Sequence, residues 1–154
     1  MRRLLALALA LVAAACSAGG AGEPTTPTAT TCDQLAVEDA FVRVPPGDNT
    51  AIYATVRNDG PADVALVAVE ADFAKTVELH ETTMEDGVMK MAPVEGGEIV
   101  VPAGGTALLE PGGLHAMAMQ LQTELVAGDT VPVTFEFDNG CSLELEIPVK
   151  AIEG

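Results

Sequence analysis

Residues 131–149 read VPVTFEFDNGCSLELEIPV, and this stretch decides the fold class. Val131, Val133, Phe135 and Phe137 alternate with proline or polar residues. Beyond Asp138-Asn139-Gly140 the alternation resumes. Cys141, Leu143, Leu145, Ile147 and Val149 share one side, and Ser142, Glu144 and Glu146 point to the other. A period of two gives each arm one buried and one wet face. Asn-Gly accepts the positive φ angles of a tight turn, so the arms are expected to pair as an antiparallel hairpin.

Upstream of the hairpin the same pattern recurs from Leu35. Thr50–Arg57 is closed by Asn58-Asp59-Gly60-Pro61, and Asp63–Val69 follows as a strand. Glu85-Asp86-Gly87 separates two further runs. Pro102-Ala103-Gly104-Gly105 and Pro111-Gly112-Gly113 mark two more breaks. No segment carries a helical stripe of adequate length, and Ala71–Val77 holds one helical turn at most. About eight closely spaced strands predict a single all-β domain, an antiparallel sandwich or barrel.

The N-terminal part is built differently. Residues 4–15, LLALALALVAAA, follow Arg2 and Arg3. A basic start before a short apolar run reads as a secretory signal over residues 1–15. The run is too short for a transmembrane helix, which needs about 20 residues. It ends Ala13-Ala14-Ala15-Cys16, which resembles a bacterial lipobox. That resemblance implies that Cys16 becomes the lipidated first residue of the mature chain, held to the outer face of the cell membrane or in the periplasm. Lipoboxes prefer Leu where Ala13 stands, and the alternative is a secreted protein cleaved nearby. Residues 17–31, SAGGAGEPTTPTATT, contain no large apolar side chain. Such a composition cannot offset its own ordering entropy. Residues 16–31 therefore read as an anchor and tether spanning roughly 20 Å on average, and residues 32–154 as the folded domain.

If Cys16 carries lipid, Cys32 and Cys141 form an even pair. In an oxidising compartment they are expected to be joined as a disulfide, the alternative being two free thiols. Closing so long a loop restricts the unfolded chain by roughly 4–5 kcal/mol.

Charge excludes whole classes of function. Seven Lys and Arg stand against 23 Asp and Glu, a net charge of −16. Phosphate neutralisation supplies most of the affinity of a nucleic-acid binder, so that role is excluded, and a polybasic membrane surface with it. Most of the carboxylates read as solvated strand faces. No Ser/His/Asp order, phosphate loop or separated acid pair suggests an enzyme.

One region is unusual. The chain has two His and six Met, and apart from Met1 all of them lie between positions 80 and 119. Met is a general core filler, so scatter is the ordinary expectation. In His115-Ala116-Met117-Ala118-Met119 a strand places the His and both Met on one face. Met89 and Met91 likewise share a face, and His80 closes the run Thr76–Leu79, near a strand end. Three strand segments can thus converge imidazole and thioether donors on one spot. Thioether sulfur selects Cu(I), whereas carboxylates and waters suit Mg²⁺, Ca²⁺ or Mn²⁺. Zinc favours Cys, His and carboxylate. A blue-copper centre needs a thiolate beside two His, and the only nearby candidate, Cys141, is assigned to a disulfide.

The segment from His80 to Leu121 resembles the periplasmic copper chaperone family PCu(A)C. The matching words are LHET at 79–82, DGVMKM at 86–91, PVEGG at 93–97, PAGGT at 102–106 and PGGLHAMAM at 111–119. The family motif is a His, ten residues, a Met, a gap of just over twenty residues, then His-x-Met. His80, Met91 and His115-Ala116-Met117 match it, with a slightly longer gap whose extra length falls in the Gly-rich stretch 96–105. The likeness runs from Val37 to Val149. It implies a cupredoxin-like Greek-key β-sandwich or barrel and one Cu(I) held by His80, Met91, His115 and Met117. It implies a metallochaperone that loads a copper-accepting protein, a cytochrome c oxidase subunit or its assembly factor. Met84, Met89 and Met119 match accessory methionines. Glu81 departs from members that carry Met directly after the first His. Two rival functions remain open on the sequence: an electron-transfer cupredoxin, and a metal-free β-sandwich whose Met-rich surface docks a protein.

Overall fold

The computed structural model describes residues 29–151. The signal segment, Cys16 and the tether up to residue 28 lie outside these residues. The strands are β1 (Leu35–Arg43), β2 (Asn49–Asn58), β3 (Val64–Glu70), β4 (Ala74–Glu85) and β5 (Val88–Pro93). They continue as β6 (Ile99–Val101), β7 (Gly105–Leu109), β8 (Leu114–Leu121), β9 (Thr130–Phe137) and β10 (Ser142–Lys150). Among the described residues there is no α-helix; two short 3₁₀ turns cover Cys32–Gln34 and Glu95–Gly97.

The ten strands run in the order β5-β4-β8-β7-β2-β1-β10-β9-β3-β6. The order folds over where β1 meets β10 in a short parallel pairing, Val42↔Val149 and Arg43↔Lys150. One half is β5-β4-β8-β2-β1, with β7 on the second half of β2; the other is β10-β9-β3-β6. The chain crosses between halves at β2–β3, β3–β4, β5–β6, β6–β7 and β8–β9, which gives the cupredoxin-like Greek-key arrangement. One core fills the space between the halves, including Val42, Ile52, Val56, Leu66, Leu79, Val133, Phe135 and Ile147.

The β9–β10 hairpin pairs as its alternation requires, with Leu143↔Phe135, Leu145↔Val133 and Ile147↔Val131. Its turn differs from the expectation. Of Asn139 and Gly140 only Gly140 takes a positive φ, 83°, and the Gly140 N–H donates to the Phe137 carbonyl at 3.0 Å. That is a type I turn followed by a left-handed glycine. The two-residue turn with both central φ angles positive is Asp86 (51°) and Gly87 (79°), joining β4 to β5.

Ten strands replace the expected eight. The Gly-rich stretch 96–105 contains β6, whose Ile99 and Val101 are core residues, too short a run for periodicity to register. Ala71–Val77 forms a turn, closed by the Ala74 N–H on the Ala71 carbonyl, and then enters β4.

Cys32 and Cys141 are joined, with Cα atoms 5.4 Å apart, tying the start of the domain to the β9–β10 turn. The fold begins before Cys32, where the tether was expected to continue. Thr30 is buried, and its hydroxyl donates to the Ala62 carbonyl at 2.6 Å. Its own carbonyl accepts from Asn139 Nδ2 at 3.1 Å.

Candidate metal centre

The register of β4 with β8 sets His80 directly opposite His115 and Glu78 opposite Met117. The register of β4 with β5 sets Thr82 opposite Met91 and Met84 opposite Met89. Ala51 and Asn49 on β2 face Met117 and Met119. Directly paired residues share a sheet face, so both histidines and all five methionines stand on the outer face of one sheet. The intervening Leu79, Ala116 and Ala118 point inward and are buried. His80 lies inside β4 rather than near its end, which corrects the reading of that position.

The two imidazole rings are 6.0 Å apart between centroids. Although they stand on an outer face, His115 is only 3% exposed and the His80 side chain 12%. Tyr53 from β2 walls one side, its ring 6.3 Å from that of His115. The Pro111–Gly113 turn covers another, the Gly113 carbonyl lying 3.0 Å from His115 Nδ1.

These contacts assign the tautomers. A carbonyl only accepts, so His115 Nδ1 carries the proton and Nε2 presents its lone pair. The Glu78 carboxylate, 3.2 Å from His80 Nε2, likewise accepts, so His80 presents Nδ1. Those two nitrogens, His80 Nδ1 and His115 Nε2, are buried and have no hydrogen-bond partner. A buried nitrogen without a partner carries a desolvation cost, and a metal bound by either imidazole would relieve it. Glu78 and Gly113 fix the rings from behind, as partners of metal-bound His do.

Electrostatics keep His115 in the ligand form. Burial pushes its pKa below the usual value of 6.5, the Gly113 hydrogen bond partly opposes this, and the neighbouring His80 adds to the lowering. Burial also raises the Tyr53 phenol, with Arg43 opposing, so Tyr53 is a neutral wall.

The thioethers on this face differ in exposure. Met117 is half-buried, and Met91, Met89 and Met84 are 53%, 60% and 65% exposed. His115, Met117, Met91 and Met89 line one open cavity of about 470 Å³ together with Tyr53 and Arg43. Met119 shares the face but not this cavity. Among the described residues no three His, Cys, Asp or Glu side chains converge to hold a metal. Sequence reasoning missed Glu78, Gly113, Tyr53 and Arg43. Only Glu78 left a signal, standing two residues before His80 on the same strand face.

The model of the LpqE-like lipoprotein family matches residues 35–149, and the chain belongs to that family. A Leifsonia xyli subsp. xyli protein named as a lipoprotein, Lxx21020, is 34% identical over 122 residues, covering 79% of this chain and 73% of that protein. The apo PCuAC domain from PmoF1 superposes with a TM-score of 0.65 at 19% identity, over 82% of this chain and all of that domain, a likeness of fold. The solution structure of Cu(I)-DR1885 from Deinococcus radiodurans gives a TM-score of 0.58 at 29% identity, over 82% of this chain and 81% of that one.

Proposed function

We propose that this protein is an extracytoplasmic metallochaperone, not an enzyme, that holds one Cu(I) by His80, Met91, His115 and Met117 and passes it on. The observation that carries this reading is the pair of buried, unpartnered nitrogens, His80 Nδ1 and His115 Nε2, on rings 6.0 Å apart between centroids, of which His115 lines the same cavity as Met117, Met91 and Met89. Two imidazoles and two thioethers form a neutral, soft donor set suited to Cu(I). The Cu(I)-bound state named for the Deinococcus relative supports the same assignment. Both cysteines of the folded domain are in a disulfide, so the thiolate of an electron-transfer copper centre is missing from it. A cavity mouth rimmed by exposed Met suits handover, because thioether ligands exchange one at a time. The recipient we propose is a copper-accepting protein, the copper centre of cytochrome c oxidase or its assembly factor. Family membership supports Cys16 as a lipid anchor holding the domain at the outer face of the cell membrane.

Anaerobic Cu(I) titration with X-ray absorption tests the site. One ion per chain with nitrogen and sulfur neighbours is expected, and competition should place Cu(I) and Ag(I) far above Zn²⁺. Equal or tighter Zn²⁺ binding overturns the assignment.

A further inference from the structure

The four proposed ligands leave the tip of the β4–β5 hairpin unexplained. Met84 and Met89 face each other directly across it, and each exposes at least 60% of its surface. All six residues of β5 are exposed, so these side chains fill no core. The pairing geometry sets the two side chains close enough at their bases for both thioethers to reach one ion. Glu85 and Val88 flank the two-residue turn, and alternation makes the next pair, Met84–Met89, the closer kind, with Cβ atoms roughly 4.5–5.5 Å apart. Met89 also lines the cavity that holds His115, and its terminal methyl lies over the Pro111–Gly113 turn, 4.0 Å from where a Cβ on Gly112 would stand. Met84 stays outside. The pair therefore straddles the cavity rim.

We propose that Met84 and Met89 form a second, outer soft-metal site that takes a Cu(I) or Ag(I) ion beyond the inner one. The proposal deepens the copper reading above and rests on it. Cu(I) accepts as few as two soft donors, and two opposed thioethers with one face open to water offer that number. With only two neutral ligands the outer site is the weaker. An ion held there is one strand pair from Met91, which sits two residues beyond Met89 on the same face of β5. Passage inward is ligand exchange at constant charge: the ion stays monovalent, one Met–metal bond forms as another breaks, and nothing is oxidised or reduced.

Ag(I) titration of the purified full chain, with each Met methyl group labelled for NMR, tests this. The first equivalent is expected to move the Met91 and Met117 methyls and the second those of Met84 and Met89. Met84→Leu with Met89→Leu should weaken second-ion binding more than about tenfold and leave the first intact. His115→Ala with Met117→Leu should weaken the first ion and leave the Met84 and Met89 response in place. That separates failure of the inner site from failure of the outer one. Met84 and Met89 methyls that stay still at the second equivalent overturn the outer site. So do methyls that move together with those of Met117 at the first, or a second ion that persists in the Met84→Leu, Met89→Leu protein.

Discussion

His115 and Met117 stand on one side of β8, and chemistry separates what each contributes. Met117→Leu conserves volume, so the metal-free protein should lose less than about 1.5 kcal/mol. A thioether ligand lost from a four-donor site should lower Cu(I) affinity more than about tenfold. Chelator competition and a melting curve read the two quantities separately, and wild-type affinity in the Leu variant removes Met117 from the site. His115 adds a pH signature. Its folded pKa lies below the unfolded value of 6.5. The native state therefore binds fewer protons than the unfolded chain between those two values. Stability of the metal-free protein should fall as pH drops through 6.5 and level off below the folded pKa, with no contribution from this group above 6.5. Protons should displace metal from Nε2 only below the lowered pKa, so the share of Cu(I) affinity owed to His115 should survive further into acid than a free imidazole allows. An NMR titration of the His115 ring in metal-free protein decides this: a midpoint at or above 6.5 contradicts the burial argument.

At the scale of elements, alternation was the legible part. The faces of β8, β9 and β10 follow from a period of two, and the same parity put His115, Met117 and Met119 on one side. Pairing partners were not legible, because register is set by which edges meet in three dimensions. His80 is opposite His115 through a long-range pairing that spans two crossings of the sandwich. The orienting contact from Gly113 depends on the turn before β8, which composition marks only as a break. Turn type also escaped, since Asp-Gly and Asn-Gly look equivalent until strand twist selects the residues that turn left-handed. The loop after β2 supplies a test away from the metal. A Cβ on Gly60 would sit 2.2 Å from Thr30 Oγ1, while Asn58 Oδ1 accepts from the Gly60 N–H at 2.9 Å. Gly60→Ala should push Thr30 off its Ala62 contacts and cost about 1–3 kcal/mol, read by denaturant unfolding. Cu(I) affinity should not change, because the metal face uses the opposite end of β2. Unaltered stability would mean that Thr30 is not packed there.

Across the whole molecule, staple and metal face are kept apart. The disulfide joins Cys32 to Cys141 on the β9–β10 half, while the imidazoles and thioethers stand on the β4–β5–β8 half. Under the proposed function, copper handling outside a reducing cytoplasm, the chain gains from this separation. Thiols placed beside the ion would compete as ligands and oxidise, whereas thioethers remain donors when every thiol is paired. The disulfide also supports a small domain that carries an open cavity and an exposed strand, both of which forgo apolar burial. Cys141 is itself buried, so reduction removes a cross-link from the core as well as a loop constraint. Reduction should cost about 2–5 kcal/mol and lower the melting temperature on the order of 10 °C. Cu(I) stoichiometry and the nitrogen and sulfur neighbours seen by X-ray absorption should be those of the oxidised protein. A Cys32→Ser, Cys141→Ser protein provides the control, since it has no thiol in the domain for copper to capture. If that variant folds but loses its inner ion, the two halves are coupled and the separation argued here is wrong; if it melts earlier and binds as before, the disulfide serves the fold and the thioethers serve the metal.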